Sequence, residues 1–272
     1  MRKLLFLGII ILFSVPLLAQ PEVDSTRRFQ LEHAKNKERA ILASVGSFQR
    51  LNSYINPLAA SGIAAGVTIT GDQFKSWGVQ SSEYQQNIYI SLADANQMMG
   101  MSLSYSKYWH WRVYTRADKR LFIYAGMGAN LDINPEMSLL SGGNNDISFK
   151  GGIQTLPSGL LKYRFNTRKQ RFEFTQQISF PLFGFSVLPR YGYYVYTGIT
   201  NDNMDIGSLF TSLHNNLGMS ARSYIDWRRQ KNGKELNSFI RIGYIYDAYR
   251  INYETRHQKG CHMFVIGAVR KF

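Results

Sequence analysis

From about Leu121 to Phe272 the apolar residues of this chain recur at every second position. Between Arg171 and Gly184, for example, Phe172, Phe174, Ile178, Phe180 and Leu182 share one parity, while Glu173, Thr175, Gln177 and Ser179 share the other. A β-strand turns successive side chains to opposite faces, so each such run predicts a strand with one apolar and one polar face. Strands can be laid out near 41–53, 62–74, 84–95, 98–113, 120–133, 148–165, 171–187, 209–227, 238–254 and 261–272. In the segment 120–133, Leu121, Ile123, Ala125, Met127 and Leu131 oppose Phe122, Tyr124, Gly126, Gly128, Asn130 and Asp132. In 209–227, Leu213, Leu217, Met219, Ala221, Ile225 and Trp227 oppose a polar face that includes Ser212, His214, Asn216, Ser220, Arg222 and Asp226. That run reads as one continuous strand. Pro157 interrupts the run 148–165 and predicts a bulge there, because proline has no N–H for the ladder.

Short basic turns alternate with longer polar loops such as 134–146 and 188–208. That asymmetry predicts an all-β, transmembrane antiparallel up-and-down β-barrel, with its short turns in the periplasm and its long loops outside. Both termini then lie on the periplasmic side, so the strand count is even. The layout gives about ten strands, with eight or twelve as alternatives. A soluble periplasmic β-barrel or sandwich acting as a binding module would show the same alternation with the apolar parity turned inward.

The start of the chain adds a location. Arg2 and Lys3 precede an apolar run from Leu4 to Leu18, and Ala19 closes it. This is the layout of a secretory signal peptide, expected over 1–19 with cleavage after Ala19. Residues 20–40 are polar and read as a periplasmic lead-in, and 41–272 as one barrel domain. Cys261 is the only cysteine, which excludes an intrachain disulfide. Mean hydropathy is −0.24, low for a membrane protein built of helices but ordinary for a barrel with a polar interior. Aromatic residues make up 14% of the chain, enough for interfacial girdles.

The formal net charge is +14. Nucleic-acid binding is not expected, because the basic residues cluster in turns such as Arg116–Arg120, Asn166–Arg171 and Arg228–Lys234 and form no recognition module. Beside a bilayer such turns would attract outer-membrane lipid phosphates.

The last residues also carry a resemblance. Phe272 is terminal, and Phe264, Ile266 and Ala268 share its parity, with Arg270 breaking the apolar series. This resembles the C-terminal signal by which the barrel-assembly machinery recognises outer-membrane proteins, and it implies that machinery as a partner. Asn52–Leu58 with Gly62, the run Phe210-Thr-Ser-Leu-His-Asn215, the strand around Gln177–Leu188 and the segment His262–Gly267 together resemble a Bacteroidetes family of outer-membrane proteins catalogued only as a domain of unknown function. Ala59 and Ala60 stand where that family often has an acidic–aromatic pair. The resemblance implies the cell outer membrane and the barrel, and it brings no activity.

Candidate chemistry lies on the polar parity. Arg112, Lys162, Arg164, Glu173, Arg222, Asp226 and Arg241 are expected to face the lumen in its periplasmic half, with Glu173 and Asp226 pairing with Arg164, Arg222 or Arg241. An unpaired buried charge is costly, so these charges should form a salt-bridged plug. An arginine-lined solute path is the other reading of the same residues. Ser212, His214 and Asp247 are candidates for a nucleophile, a base and its orienter in a membrane-embedded lipid hydrolase. The His-x-Ser spacing of known barrel hydrolases is missing, and Asn216 stands at the position concerned. The expectation is therefore no enzyme. The five histidines lack ligand spacing and no glycine-rich phosphate loop is present, so no metal and no cofactor are expected. The expected role is structural, interaction-based or small-solute passage.

Overall fold

The computed structural model describes residues 37–52, 56–92, 97–139, 147–167, 170–189, 206–231, 234–252 and 256–272. The leader 1–19 and most of the lead-in fall outside these residues. The first strand, β1 (Lys37–Asn52), begins within the last residues assigned to the lead-in. It is followed by β2 (Asn56–Lys75), β3 (Gly78–Ser91), β4 (Met98–Thr115), β5 (Leu121–Ser138), β6 (Ile147–Asn166) and β7 (Gln170–Ser179). Two short strands, β8 (Phe183–Pro189) and β9 (Ile206–Ser212), precede β10 (Asn216–Lys231). A two-residue piece, β11 (Lys234–Glu235), leads into β12 (Ser238–Asn252) and β13 (Arg256–Lys271).

All pairings are antiparallel. Each of β1 to β6 pairs with the next, β7 pairs with β10, β10 with β12, β12 with β13, and β13 returns to β1. The result is a closed ten-stranded barrel. The hairpin β8–β9 lies outside this ring, paired to the outer part of β6. The stagger can be followed across the ladder. Phe74 on β2 leads through Val79, His110, Gly126, Ser158, Ser179, Ser220, Asp247, Cys261 and Phe48 back to β2 at Gly62, twelve residues from the start. For ten strands this shear corresponds to a tilt of roughly 40° and an interior narrow enough to be filled by side chains.

The apolar parity faces outward. Ile41, Ile63, Phe264 and Ile266 are 64%, 65%, 67% and 57% exposed, and Ile153, Ile178, Ile225 and Ile242 share that outer surface. The polar parity faces inward: Lys162, Glu173 and Asp226 are at most 1% exposed. The soluble alternative has the opposite distribution. Apolar outside and polar inside is what a bilayer requires of a barrel. The interior also contains apolar packing, with Leu42, Phe48, Ile245, Met263 and Val265 forming a strip against β12, β13, β1 and β2.

Two expectations are corrected. Segment 209–227 is not one strand: β9 ends at Ser212, Leu213 to Asn215 form a turn, and β10 starts afresh at Asn216. Asn215 fixes the turn, because its Oδ1 accepts from the Ser212 N–H at 2.8 Å and its Nδ2 donates to the Phe210 carbonyl at 3.0 Å. The bulge expected at Pro157 falls instead on the strand opposite. β6 runs unbroken through Pro157, while the 171–187 run breaks between β7 and β8 at Phe180 to Leu182.

The closing ladder between β1 and β13 is tight. A Cβ on Gly46 would lie 1.7 Å from the His262 carbonyl oxygen, and one on Gly267 would lie 1.9 Å from that of Ile41. Any side chain at either site must push the two strands apart, and such overpacking costs roughly 1–3 kcal/mol. Gly46→Val should therefore weaken the compact, fast-migrating band that a closed barrel gives on an unboiled gel, whereas Ser47→Val, one residue along, should leave it intact.

Candidate functional site: the charged lumen

Cross-strand and cross-lumen ion pairs occupy the barrel at three levels. The lowest level lies at the end that holds both strand termini, Lys37 and Phe272. Arg228 reaches across the lumen from β10 to Glu38 on β1 at 2.9 Å, and also contacts Glu173 at 3.2 Å and Asp226 at 3.4 Å. Glu173 accepts from Arg164 at 2.7 Å and lies 3.8 Å from Lys162, which spans to Asp72 on β2 at 3.3 Å. Arg241 meets Asp226 at 2.6 Å and donates to Thr70 at 3.2 Å. Four carboxylates and four cations thus interlock in a water-poor cross-section, where removing one partner strands another.

The middle level is held by Arg222. Its guanidinium donates to Glu83 of β3 on one side, at 2.9 Å, and to Asp247 of β12 on the other, at 2.6 Å. Ser220 bonds both Arg222 and Asp247, at 2.7 and 2.5 Å. At the outer level Arg50 pairs with Glu136 and Tyr89 and donates to Asn134 at 3.0 Å. Lys150 lies 3.6 Å from Asp132.

Six of these cations share an arrangement in which a carboxylate sits to one side and an aromatic ring below. Arg50 lies over Tyr89, Lys150 over Tyr249, Lys162 over Phe74, Arg164 over Phe122, Arg228 over Phe239 and Arg241 over Tyr224, at 3.5 to 5.0 Å from the ring centroids. A desolvated cation over a ring face gains about 2 kcal/mol. The aromatic ring therefore offsets part of the desolvation that a single carboxylate leaves uncovered.

Between the middle and outer levels is a chamber of about 100 Å³. Gln85, Ser102, Ser104, Ser106, Asn130 and Gln154 give it amides and hydroxyls, Lys150, Arg222 and Lys259 line it as well, and Leu156 and Pro181 form an apolar corner. At that corner the barrel wall has a seam. The β7–β10 ladder ends at Ser179↔Ser220, and the β8–β9 ladder starts at Phe183↔Ser212. The N–H groups of Phe180 and Leu182 point the other way, to Pro157 and Thr155 on β6. The next inward position is Pro181, which has no N–H, and its ring stands where a Cβ on Gly218 would be 3.1 Å away. Among the described residues no backbone hydrogen bond joins Phe180–Leu182 to Asn216–Met219, so side-chain packing alone closes the wall there.

Of the residues singled out from the sequence, Lys162, Arg164, Glu173, Asp226 and Arg241 meet in the lowest level. The expected pairs Glu173–Arg164 and Asp226–Arg241 form. Arg222 belongs to a separate level with Glu83 and Asp247. Arg112 sits at the rim and donates to the Ser76 carbonyl at 2.8 Å. Ser212, His214 and Asp247 do not assemble. Ser212 shares the outward parity of Phe210 and bonds His214 on the exposed turn, while Asp247 is held in the lumen by Arg222. The expectation that all three face the lumen fails because the turn at Leu213 to Asn215 switches the parity between β9 and β10. Among the described residues no group of three or more His, Cys, Asp or Glu side chains is placed to hold a metal ion.

Sequence reasoning missed Arg228, Glu38, Asp72, Glu83 and the Arg50–Glu136 pair. The basic run Arg228–Lys234 reads as a solvated turn, although Arg228 continues the parity of Tyr224 and Asp226. Glu173→Gln should destabilise the barrel by roughly 3–5 kcal/mol, since three cations lose their shared acceptor. Asp118→Asn, which breaks the exposed Arg116–Asp118 pair, should change stability by less than about 1 kcal/mol. Urea midpoints of the two variants in lipid vesicles would measure the contrast.

The family model described as a protein of unknown function, DUF3316, matches residues 4–272. Several solved structures align with most of the chain at TM-scores of 0.40 or below. Neisserial surface protein A aligns at 12% identity with a TM-score of 0.37, over 86% of this chain and 97% of that one. The β domain of the Bordetella autotransporter BrkA aligns at 12% identity with a TM-score of 0.40, over 86% and 99%. The translocator domain of the autotransporter NalP from Neisseria meningitidis aligns at 8% identity with a TM-score of 0.40, over 92% and 95%. No curated protein sequence matches the chain. This chain belongs to the family of proteins of unknown function DUF3316.

Proposed function

We propose that this protein is an integral outer-membrane β-barrel that does not conduct, with a structural or interaction role and no catalysis. The observation that carries this reading is the ion-paired lumen. At the lowest level the chain Glu38–Arg228–Glu173–Lys162–Asp72 runs from β1 across to β10, β7 and β6 and back to β2, with all but Asp72 buried. A conducting lumen needs charges that a passing ion can use in turn. At this level each charge is already engaged.

The outward apolar parity supports the bilayer as surroundings, and the leader over 1–19 supports export. In this orientation the strand termini and the basic turns face the periplasm, where the basic residues can meet lipid phosphates. Phe272 lies beneath both Arg39 and Arg270, at 5.7 and 5.4 Å from the ring centroid. This contact accounts for an arginine at the one basic position of the C-terminal apolar series. Phe272 then serves as the terminal signal read by the barrel-assembly machinery. The sequence segments that resemble the Bacteroidetes proteins agree with an envelope that has two membranes.

The purified barrel should shift in gel mobility on boiling and remain silent in planar-bilayer recordings. Removing both ends of the longest cross-lumen bridge, with Glu38→Ala and Arg228→Ala together, should introduce discrete conductance steps in protein that still shows the heat shift. Steady conductance by the wild type would overturn the sealed-lumen reading, and the absence of any heat shift would overturn the membrane reading.

A further inference from the structure

The chamber and the seam coincide. The apolar corner that Leu156 and Pro181 give this cavity lies where, among the described residues, the barrel wall lacks backbone hydrogen bonds. The cavity reaches Met219 and Ala248, which belong to the outward parity of β10 and β12. On the other side of the seam the surface is apolar, with Phe180 47% and Leu217 57% exposed, and Phe183, Phe185 and Phe210 beside them. A polar pocket thus communicates sideways with a greasy surface through a wall closed only by the Pro181 ring against Gly218.

We propose that this chamber binds the head of a single-tailed, uncharged amphiphile whose tail leaves through the Pro181–Gly218 seam to the outer surface of the barrel. This proposal rests on the membrane reading above. The lining sets the head group. Three cations line the chamber: Arg222 bridges Glu83 and Asp247, Lys150 faces Asp132, and Lys259 donates to the Ser102 hydroxyl at 3.5 Å, so three carboxylates balance three cations. Amides and hydroxyls remain for recognition. Gln85 is 4% exposed and its Nε2 has no protein partner, although the side chain lines the chamber. A buried donor of this kind is costly unless something accepts from it. A hydroxyl or carbonyl of the head would do so. With about 100 Å³ available, the head is small, of glycerol size. The seam sets the tail. Strands joined by a full ladder cannot admit a chain between them without breaking hydrogen bonds. At Pro181 there are none to break, so a single alkyl chain displaces only van der Waals contacts.

The test uses the whole barrel in nanodiscs, with a monodecanoylglycerol carrying a photoreactive diazirine near its ester. After illumination, label should concentrate on Phe180–Leu182 and Leu217–Met219. Excess unmodified monodecanoylglycerol should compete for it, and glycerol alone should not. Ser104→Phe fills the chamber from the opposite wall, and Gly218→Val narrows the seam. Each should reduce the competed label about tenfold, the loss expected when a side chain takes up the ligand's volume. Label spread over all lipid-facing strands in proportion to exposure, without competition, would overturn the proposal. So would decanoate competing better than monodecanoylglycerol, since the head would then be an anion. If Gly218→Val does not fold, Ser104→Phe decides alone. Every sample is first checked for its heat-shifted band. A sample that never inserts would refute the membrane reading, whereas an inserted barrel with diffuse label would refute only the amphiphile site.

Discussion

A guanidinium or ammonium group inside a narrow barrel has lost most of its water, and it must find a counter-charge among the few residues that share its level. Much of this molecule's architecture follows from that requirement. It ties β1 to β10 through Glu38 and Arg228, β2 to β6 through Asp72 and Lys162, and β3 to β10 through Glu83 and Arg222. None of these strands is adjacent to its partner in the ladder. The ion pairs therefore brace the barrel across its diameter, where hydrogen bonds between neighbouring strands cannot reach. They also fix register, because a slip of one residue would turn every lumen charge toward lipid.

The aromatic rings refine the same requirement. A carboxylate meets a cation along an edge and leaves the faces of the guanidinium uncovered. Tyr224 and Phe239 cover those faces for Arg241 and Arg228. The lumen can thus hold charge at high density while remaining closely packed, and the apolar strip around Leu42 and Met263 fills the side of the lumen that the ions leave.

Much of this was legible in the sequence. The ten runs laid out from the sequence each overlap one barrel strand, and from about Leu121 onward alternation separated the two faces, because period two is a local property that each segment declares for itself; which face is outside needed the closed barrel. Alternation also gave the pair Glu173–Arg164, whose members face each other across one short turn. The cross-lumen partners were hidden for a different reason. Which residue of β1 faces Arg228 depends on the stagger summed around the whole ring, and no local pattern records it. Glu38 was further concealed by a polar neighbourhood that read as a lead-in. The broken wall did leave a trace. Phe210 and Leu217 both point outward although seven positions separate them, which an unbroken strand does not allow. Leu213 keeps the apolar rhythm through the turn and so conceals it.

The ring closes where β1 meets β13, so Glu38 pairs with Lys271. The first described strand and the last are thus neighbours in space. Such a contact joins Glu38 to Lys271, and forming it carries the entropy of closing a loop that contains every other strand of the barrel. Until the final residues are in place, β1 presents an open edge with Ile41, Val45 and their neighbours beside it. That intermediate is prone to pair with other chains. The order of assembly is therefore built into the topology: the hairpins can form early and locally, but the cylinder exists only once the C-terminal strand has been delivered to an N-terminal one that has been kept waiting.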